Sequence, residues 1–386
     1  MKKMTEKNNI AGYIEGYYGK LLSWENRELI IKTLSKNKMN TYFYAPKEDI
    51  KHRLYWKKKY NKKWRSNFRK FTDNCKKNKI EIIAGIAPGL DFNFKQLKEK
   101  SKHNKKSDFE FLYNKAKQLL DDGATFIALL LDDIPSDFKN KFGNEVSEGT
   151  YHGTLANKLL KKLGQTIFFV PRIYADELIN DEPFYLKDLS EILDPKIIMF
   201  YCGKNIVSKN LSNYKLVKKK FQNRVIFWDN YYSNDYCPRR LFIGPYFGRE
   251  NINDVMINPT GLIKTDLLIL DIYANNFSNK NNLKEWLKIL GIHGVPRQFT
   301  KIKKFFLKPD FGSNPRVQNV SVKDKDFEVL DFLLWVWKGE LSREWYPFIF
   351  GLKQDLQISK KLLTAERKIK TQTAPLSEFL LKGELE

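Results

Sequence analysis

Two adjacent carboxylates, Asp132 and Asp133, stand at the end of the apolar run Phe126-Ile127-Ala128-Leu129-Leu130-Leu131. Paired acids are equipment for proton transfer, one donating while the other orients the reactant or stabilises charge. Close carboxylates also resist ionising together, so the pair predicts one group that keeps its proton near neutral pH. The apolar run, bounded by Gly123 and Pro135, reads as a strand buried on both faces. Neighbours on a strand point apart, so both acids reach one ligand only where the chain turns at the strand end. The competing reading is structural, with Asp133 capping the next segment and Asp132 a solvated turn residue.

The elements that must position this pair recur along the chain. Apolar and β-branched runs begin near Gly12, Thr41, Ile82, Phe126, Ile167, Ile197, Val225 and Val255, separated by 28 to 44 residues. Helical patterns lie between and after them, among them Trp24–Lys36, Trp64–Lys77, Asp108–Asp121, Thr150–Leu163, Leu186–Leu193, Asn213–Gln222 and Leu267–Asn276. Eight such units predict an α/β fold, a (β/α)8 TIM-type barrel. The runs turn polar or Gly/Pro-rich at their C-terminal ends, at Glu15-Gly16, Pro46-Lys47, Pro88-Gly89, Asp132-Asp133, Arg172 and Tyr174, Asp229-Asn230 and Asn258-Pro259. In a barrel those ends share one rim, where catalytic groups gather. The domain reading is residues 1–9 as a disordered N-terminus, 10–281 as the catalytic barrel and 282–386 as a C-terminal helical appendage. Within the appendage, Phe327, Leu330, Leu333, Leu334 and Trp337 repeat at helical spacing, as do Leu352, Leu356, Ile358 and Leu362.

The totals narrow the function classes. The 386 residues are 42% hydrophobic and carry 69 Lys+Arg against 45 Asp+Glu, a formal +24. Such a balance suits an acidic partner, but the lysines are spread over segments read as amphipathic helices, including Lys57 to Lys63, Lys98 to Lys106, Lys158 to Lys162 and Lys215 to Lys220. A solvated surface is preferred over a nucleic-acid partner. Cys75, Cys202 and Cys237 are too scattered for a disulfide framework, and the four histidines lack ligand spacing, so neither metal nor cofactor is called for. No apolar run is long enough to span a bilayer, and the N-terminus has no secretory pattern. A soluble, cytoplasmic protein without a membrane partner is expected. The motifs G-x-x-x-x-G-K and G-x-G-x-x-G are missing as well. What the rim offers is carboxylate, amide, amine, phenol and indole, the groups that bind a neutral polyhydroxylated ligand.

In unbroken order, GYIEGYYG (12–19), NTYFYAPKEDIKHR (40–53) with Trp56, IAPGLD (86–91), LLLDDI (129–134), Pro171–Tyr174, WDNYYSNDY (228–236) with RRLFIGPYFGR (239–249), and INP (257–259) resemble glycoside hydrolase family 84. These are β-N-acetylglucosaminidases, protein O-GlcNAcases among them. The resemblance covers residues 10 to 280 and implies a glycoside hydrolase that retains configuration by substrate assistance. It acts on a GlcNAc-bearing glycoconjugate whose own acetamido oxygen forms an oxazoline. By resemblance, Asp132 accepts the acetamido N–H and Asp133 is the general acid and then base. Gly16 presents its backbone to sugar hydroxyls and Lys47 adds a donor to that edge. Tyr174 bonds the acetamido oxygen, Asn230 holds the acetamido group, and Trp228 and Cys202 wall its methyl. Asp235 fixes the O4 and O6 side, and Asn258 another hydroxyl.

Lys20-Leu21-Leu22 departs from the family's usual turn after the first strand. Two other functions stay open on the sequence: a hyaluronidase-like endo-glycosidase, and an inactive barrel that binds glycan or nucleic acid. The helices of the C-terminal appendage are a candidate surface for homo-oligomer contact.

Overall fold

A computed structural model describes residues 9–97, 107–143, 145–208, 214–236, 240–249, 252–278, 282–307 and 321–362. Outside them lie the N-terminal residues 1–8, the lysine run 98–106, Cys237 and the last residues from 363. Eight parallel strands close into a barrel in sequence order: β1 (Ala11–Glu15), β2 (Thr41–Tyr44), β3 (Glu81–Ile86), β4 (Phe126–Leu130), β5 (Phe168–Val170), β6 (Ile198–Tyr201), β7 (Val225–Asp229) and β8 (Val255–Ile257). The seam pairs Ala11 with Val255 and Tyr13 with Ile257.

Strand alternation sorts the side chains into two cores. Ile14, Phe43, Ile83, Ala128, Leu130, Phe168, Phe200, Ile226 and Met256 fill the barrel. Tyr13, Tyr42, Ile82, Ile127, Leu129, Phe169, Met199 and Phe227 face the helices. That parity extends past the strand ends. Gly16 follows Ile14 by two, Lys47 follows Ala45, Asp132 follows Leu130, Cys202 follows Phe200, Asn230 follows Trp228 and Asn258 follows Met256. The inward phase therefore delivers these six residues to the barrel mouth.

The helices start where side chains satisfy their free N–H groups. Ser23 caps Trp24–Lys36, Asn61 caps Lys62–Lys77, Ser107 forms a capping box with Glu110, and Ser147 caps Glu148–Leu163. The cap at Asn61 corrects one expectation: Lys57 to Lys59 precede the helix, and only Lys62 and Lys63 are helical. A short helix at Phe138–Phe142 was not foreseen.

Beyond the barrel, helices span Leu283–Ile292, Asp324–Asp331 and Glu340–Ser359. They share the outer core, through Trp286, Leu330 and Trp345. The helix Ile263–Ala274 has no side-chain cap of its own. Glu344 supplies one from the C-terminal region, accepting from the amides of Lys264 at 2.9 Å and Thr265 at 2.8 Å. A carboxylate at a helix N-terminus is favourable on both hydrogen-bonding and dipole grounds. Among the described residues no helix is long and apolar enough to cross a membrane.

Candidate active site

A cavity of about 350 Å³ opens at the C-terminal mouth of the barrel. Every site residue named from the sequence lines it: Gly16, Lys47, Asp132, Asp133, Tyr174, Cys202, Trp228, Asn230, Asp235 and Asn258. Tyr18, Tyr201, Ser233 and Tyr236 line it too. Loops after every strand except β3 contribute to its lining.

The acid pair ends β4 with a reversal of the chain. Leu131 still donates to Val170 O at 2.9 Å, and Asp133 then takes a positive φ of 53°. Asp is among the few non-glycine residues that adopt the left-handed region readily. The reversal brings both carboxylates to one ammonium: Lys47 Nζ donates to Asp132 Oδ2 and lies 3.7 Å from Asp133 Oδ2. Tyr174 Oη donates to Asp133 Oδ1 at 2.8 Å and Tyr18 Oη to Asp133 Oδ2 at 2.9 Å. Burial beside Asp133 pushes both phenols up, so each remains a donor.

Burial also pushes the Asp133 carboxyl up, but Lys47 and the two phenol hydrogen bonds outweigh it and hold the group below the usual carboxylate range. For Asp133 this runs against the expectation of a retained proton. A lysine between the acids relieves the repulsion that a shared proton would otherwise relieve. Asp132 is buried, and its Oδ1 has no hydrogen-bond partner among the described residues.

The opposite wall is a relay of amides. Gly16 N donates to Asn258 Oδ1 at 3.1 Å, and Asn258 Nδ2 donates to Asn230 Oδ1 at 2.9 Å. Trp228 Nε1 also donates to Asn230 Oδ1, at 3.0 Å, while Asn230 Nδ2 donates to Ile206 O at 3.0 Å. Gly16 has to be glycine, since a Cβ there would stand 2.6 Å from Trp228 Cζ2. Phe43 and Phe200 hold that indole edge-on from below. Cys202 is buried with its thiol pushed up by burial, and it packs against Asn230 Nδ2. Asp235 accepts from Tyr18 N at 3.0 Å, Ser233 Oγ at 2.8 Å and Tyr236 N at 3.0 Å. Lys20, in the loop that departs from the family pattern, donates to Thr260 O at 2.9 Å and ties that loop to the end of β8.

The model of the β-N-acetylglucosaminidase family matches residues 11–285. The chain belongs to this β-N-acetylglucosaminidase family. Rat and mouse protein O-GlcNAcases are each 30% identical to it over 292 residues, 72% of this chain and 31% of theirs. The chain thus matches less than a third of their length. A solved structure of an O-GlcNAc hydrolase mutant from Thermobaculum terrenum aligns with a TM-score of 0.68 at 22% identity, covering 96% of this chain and 79% of that one. At that identity the likeness concerns the fold.

For a β-N-acetylglucosaminidase family member, three features of the mouth were not read from the sequence. Tyr18 joins Asp133 to Asp235, although GYYG gave no sign of which tyrosine faces in. Arg53 donates to the backbone carbonyls of Asp132, at 3.4 Å, and of Asp133. Lys47 contacts both acids. The rim pattern also divides. Glu15, Arg172 and Asp229 point outward, to Arg27, Glu148 and Arg249 respectively.

Proposed function

We propose that this chain is a retaining exo-β-N-acetylglucosaminidase that removes terminal β-linked GlcNAc by substrate assistance, in the manner of an O-GlcNAcase. The observation that carries the reading is Asp132 Oδ1, a buried acceptor without a donor. Its sister oxygen is held by Lys47, and the side chain borders the pocket. A buried acceptor left unpaired is costly, and a 2-acetamido N–H is a donor of the right kind. With that N–H bound, the acetamido oxygen turns toward C1 and charge developing on the amide is stabilised by Asp132.

A retaining enzyme with its own nucleophile sets two carboxyls about 5–5.5 Å apart across the anomeric carbon. Two acids side by side on one lysine suit a different division of labour. Asp133 protonates the leaving oxygen and then deprotonates water. A sugar in the pocket excludes water and takes the Tyr174 hydroxyl to the acetamido oxygen; each change raises the Asp133 carboxyl toward a working acid. Trp228 and Cys202 offer an apolar wall for the acetamido methyl. Gly16, Asn230, Asp235 and Asn258 complete a polar ring suited to hydroxyls, with Lys47 serving the acids. A cavity lined from seven of the eight loops favours exo action on a chain end over a polymer lying through a groove. A cytoplasmic setting and a GlcNAc-bearing glycoconjugate as substrate belong to the same proposal.

The test is hydrolysis of an aryl β-GlcNAc glycoside by the purified chain, with Asp132→Ala beside it. The variant should lose most activity, and an oxazoline-shaped inhibitor should bind it far more weakly. Unchanged inhibitor affinity would assign Asp132 a structural part. Turnover of hyaluronan with no turnover of the aryl glycoside would favour the endo reading. Absence of both, with salt-steep nucleic-acid binding, would favour an inactive barrel.

A further inference from the structure

Adjacent acids reach one pocket here because the chain reverses at Asp133, and the reversal is gripped from the loop after β2. Arg53 Nη1 donates to Asp132 O at 3.4 Å and Nη2 donates to Asp133 O, one carbonyl on each side of the residue with φ 53°. Arg53 is buried, only 9% exposed. The other buried arginines, Arg27, Arg172 and Arg249, each hold a carboxylate in a close ion pair. Arg53 holds none among the described residues; its fork is spent on main chain. A charged donor committed to two carbonyls in a dry site is a strong constraint on that peptide.

The loop that presents Arg53 is itself pinned. Asp49 Oδ2 accepts from Tyr44 Oη at 2.7 Å and Tyr60 Oη at 2.8 Å, and Asp49 Oδ1 from Lys51 N at 2.9 Å. Next to Arg53, His52 Nδ1 bonds Gly85 O at 2.9 Å and His52 O accepts from Ala87 N at 2.9 Å, which ties the loop to β3 and its end. One segment thus sends Lys47 to the side chains of the pair and Arg53 to its backbone.

We propose that Arg53 is a positioning residue for the reaction, holding the left-handed turn that aims the Asp133 carboxyl at the leaving oxygen. Without the grip, two carbonyls lose their donor and Asp133 is free to relax toward an extended conformation, which turns its side chain away from Asp132. The inference rests on the glycosidase reading above, and its cost should fall on the acid step.

Two glycosides test it: an alkyl β-GlcNAc, which needs a proton on its leaving oxygen, and a nitrophenyl β-GlcNAc, which needs it little. Arg53→Lys keeps the charge and loses the fork; Arg53→Met loses both. Each should lower kcat/KM on the alkyl glycoside by about 10²-fold and on the nitrophenyl glycoside by less than about tenfold, with KM little changed. Added to Asp133→Ala, Arg53→Met should cost nothing further on the nitrophenyl glycoside. Equal losses on both glycosides, a rise in KM alone, or full additivity with Asp133→Ala would overturn the proposal. Thermal melting identifies which variants fold, and Arg53→Lys carries the test if Arg53→Met does not. A wild-type chain that cleaves neither glycoside refutes the glycosidase reading instead.

Discussion

Among the barrel's buried carboxylates, two arrangements stand in contrast. Behind the strands, arginine takes them two-pronged: Arg27 grips Glu15 at 2.7 and 2.8 Å, and Arg172 grips Glu148 at 2.6 and 2.7 Å. Arg249 grips Asp229 at 2.8 and 3.0 Å. At the mouth, one lysine is shared between Asp132 and Asp133, and the remaining oxygens meet tyrosine hydroxyls or nothing. A guanidinium fork saturates a carboxylate, and it never gives up its proton. An ammonium is a point charge that neutralises the pair while leaving lone pairs for another donor. The wall is built to be finished, the mouth to be completed by something else.

That contrast can be broken at either end. The largest effect is expected at the mouth. Asp133→Ala should cost 10²- to 10⁴-fold on a glycoside with a poor leaving group (about 3–5 kcal/mol of barrier), with little change in melting temperature. Equal loss on an activated aryl glycoside would remove Asp133 from the acid role. Next comes the wall. Arg27→Met leaves Glu15 charged and dry and should destabilise the fold by about 3–5 kcal/mol, measured by urea unfolding. Below the unfolding transition, turnover per folded molecule should stay near wild type. A large drop there would mean that wall and mouth are not separable.

Gly16→Ala probes the junction of the two regions. The added methyl must displace the Trp228 indole, so a stability loss of about 1–3 kcal/mol should come with a raised KM and a modest fall in kcat. A KM equal to wild type would show that the indole does not wall the ligand. The smallest effect concerns a carboxylate far from the mouth. Asp271 is pushed up by burial, but His293, Asn37 and Lys36 pull it down to about 2. Its folded pKa lies below the unfolded one, so its stabilisation is present above pH 4 or so and fades as pH falls toward 2. Asp271→Asn should therefore cost about 1–2 kcal/mol at neutral pH and less near pH 3. A cost that grew with acidity would have the wrong sign.

Most of the scaffold was legible in the sequence because the wall is periodic. Each apolar run marked a strand to within a residue or so, and the period of two carries Gly16, Lys47, Asp132, Cys202, Asn230 and Asn258 inward with no further information. What escaped was set by contacts between loops. Nothing in GYYG tells Tyr17 from Tyr18, yet Tyr17 is buried against Tyr13 and Tyr18 spans to Asp133. Arg53 lies in a quoted motif, but its partners are carbonyls, which leave no trace in composition. The pair was expected to hold a proton on the strength of its own repulsion. Lys47, 85 residues earlier, holds Asp133 low instead, and no local rule connects the two positions.

The amide of Gly16 finds its acceptor on Asn258, so the end of the first strand is tied to the pocket wall through the end of the last. A ribosome that has emitted only the first seven strands carries an unpaired edge on β1 and a pocket wall in which the Gly16 amide still lacks its acceptor. A finished pocket is in that sense a certificate of completion: the β1–β8 seam that closes the barrel also brings together the contact that completes the wall.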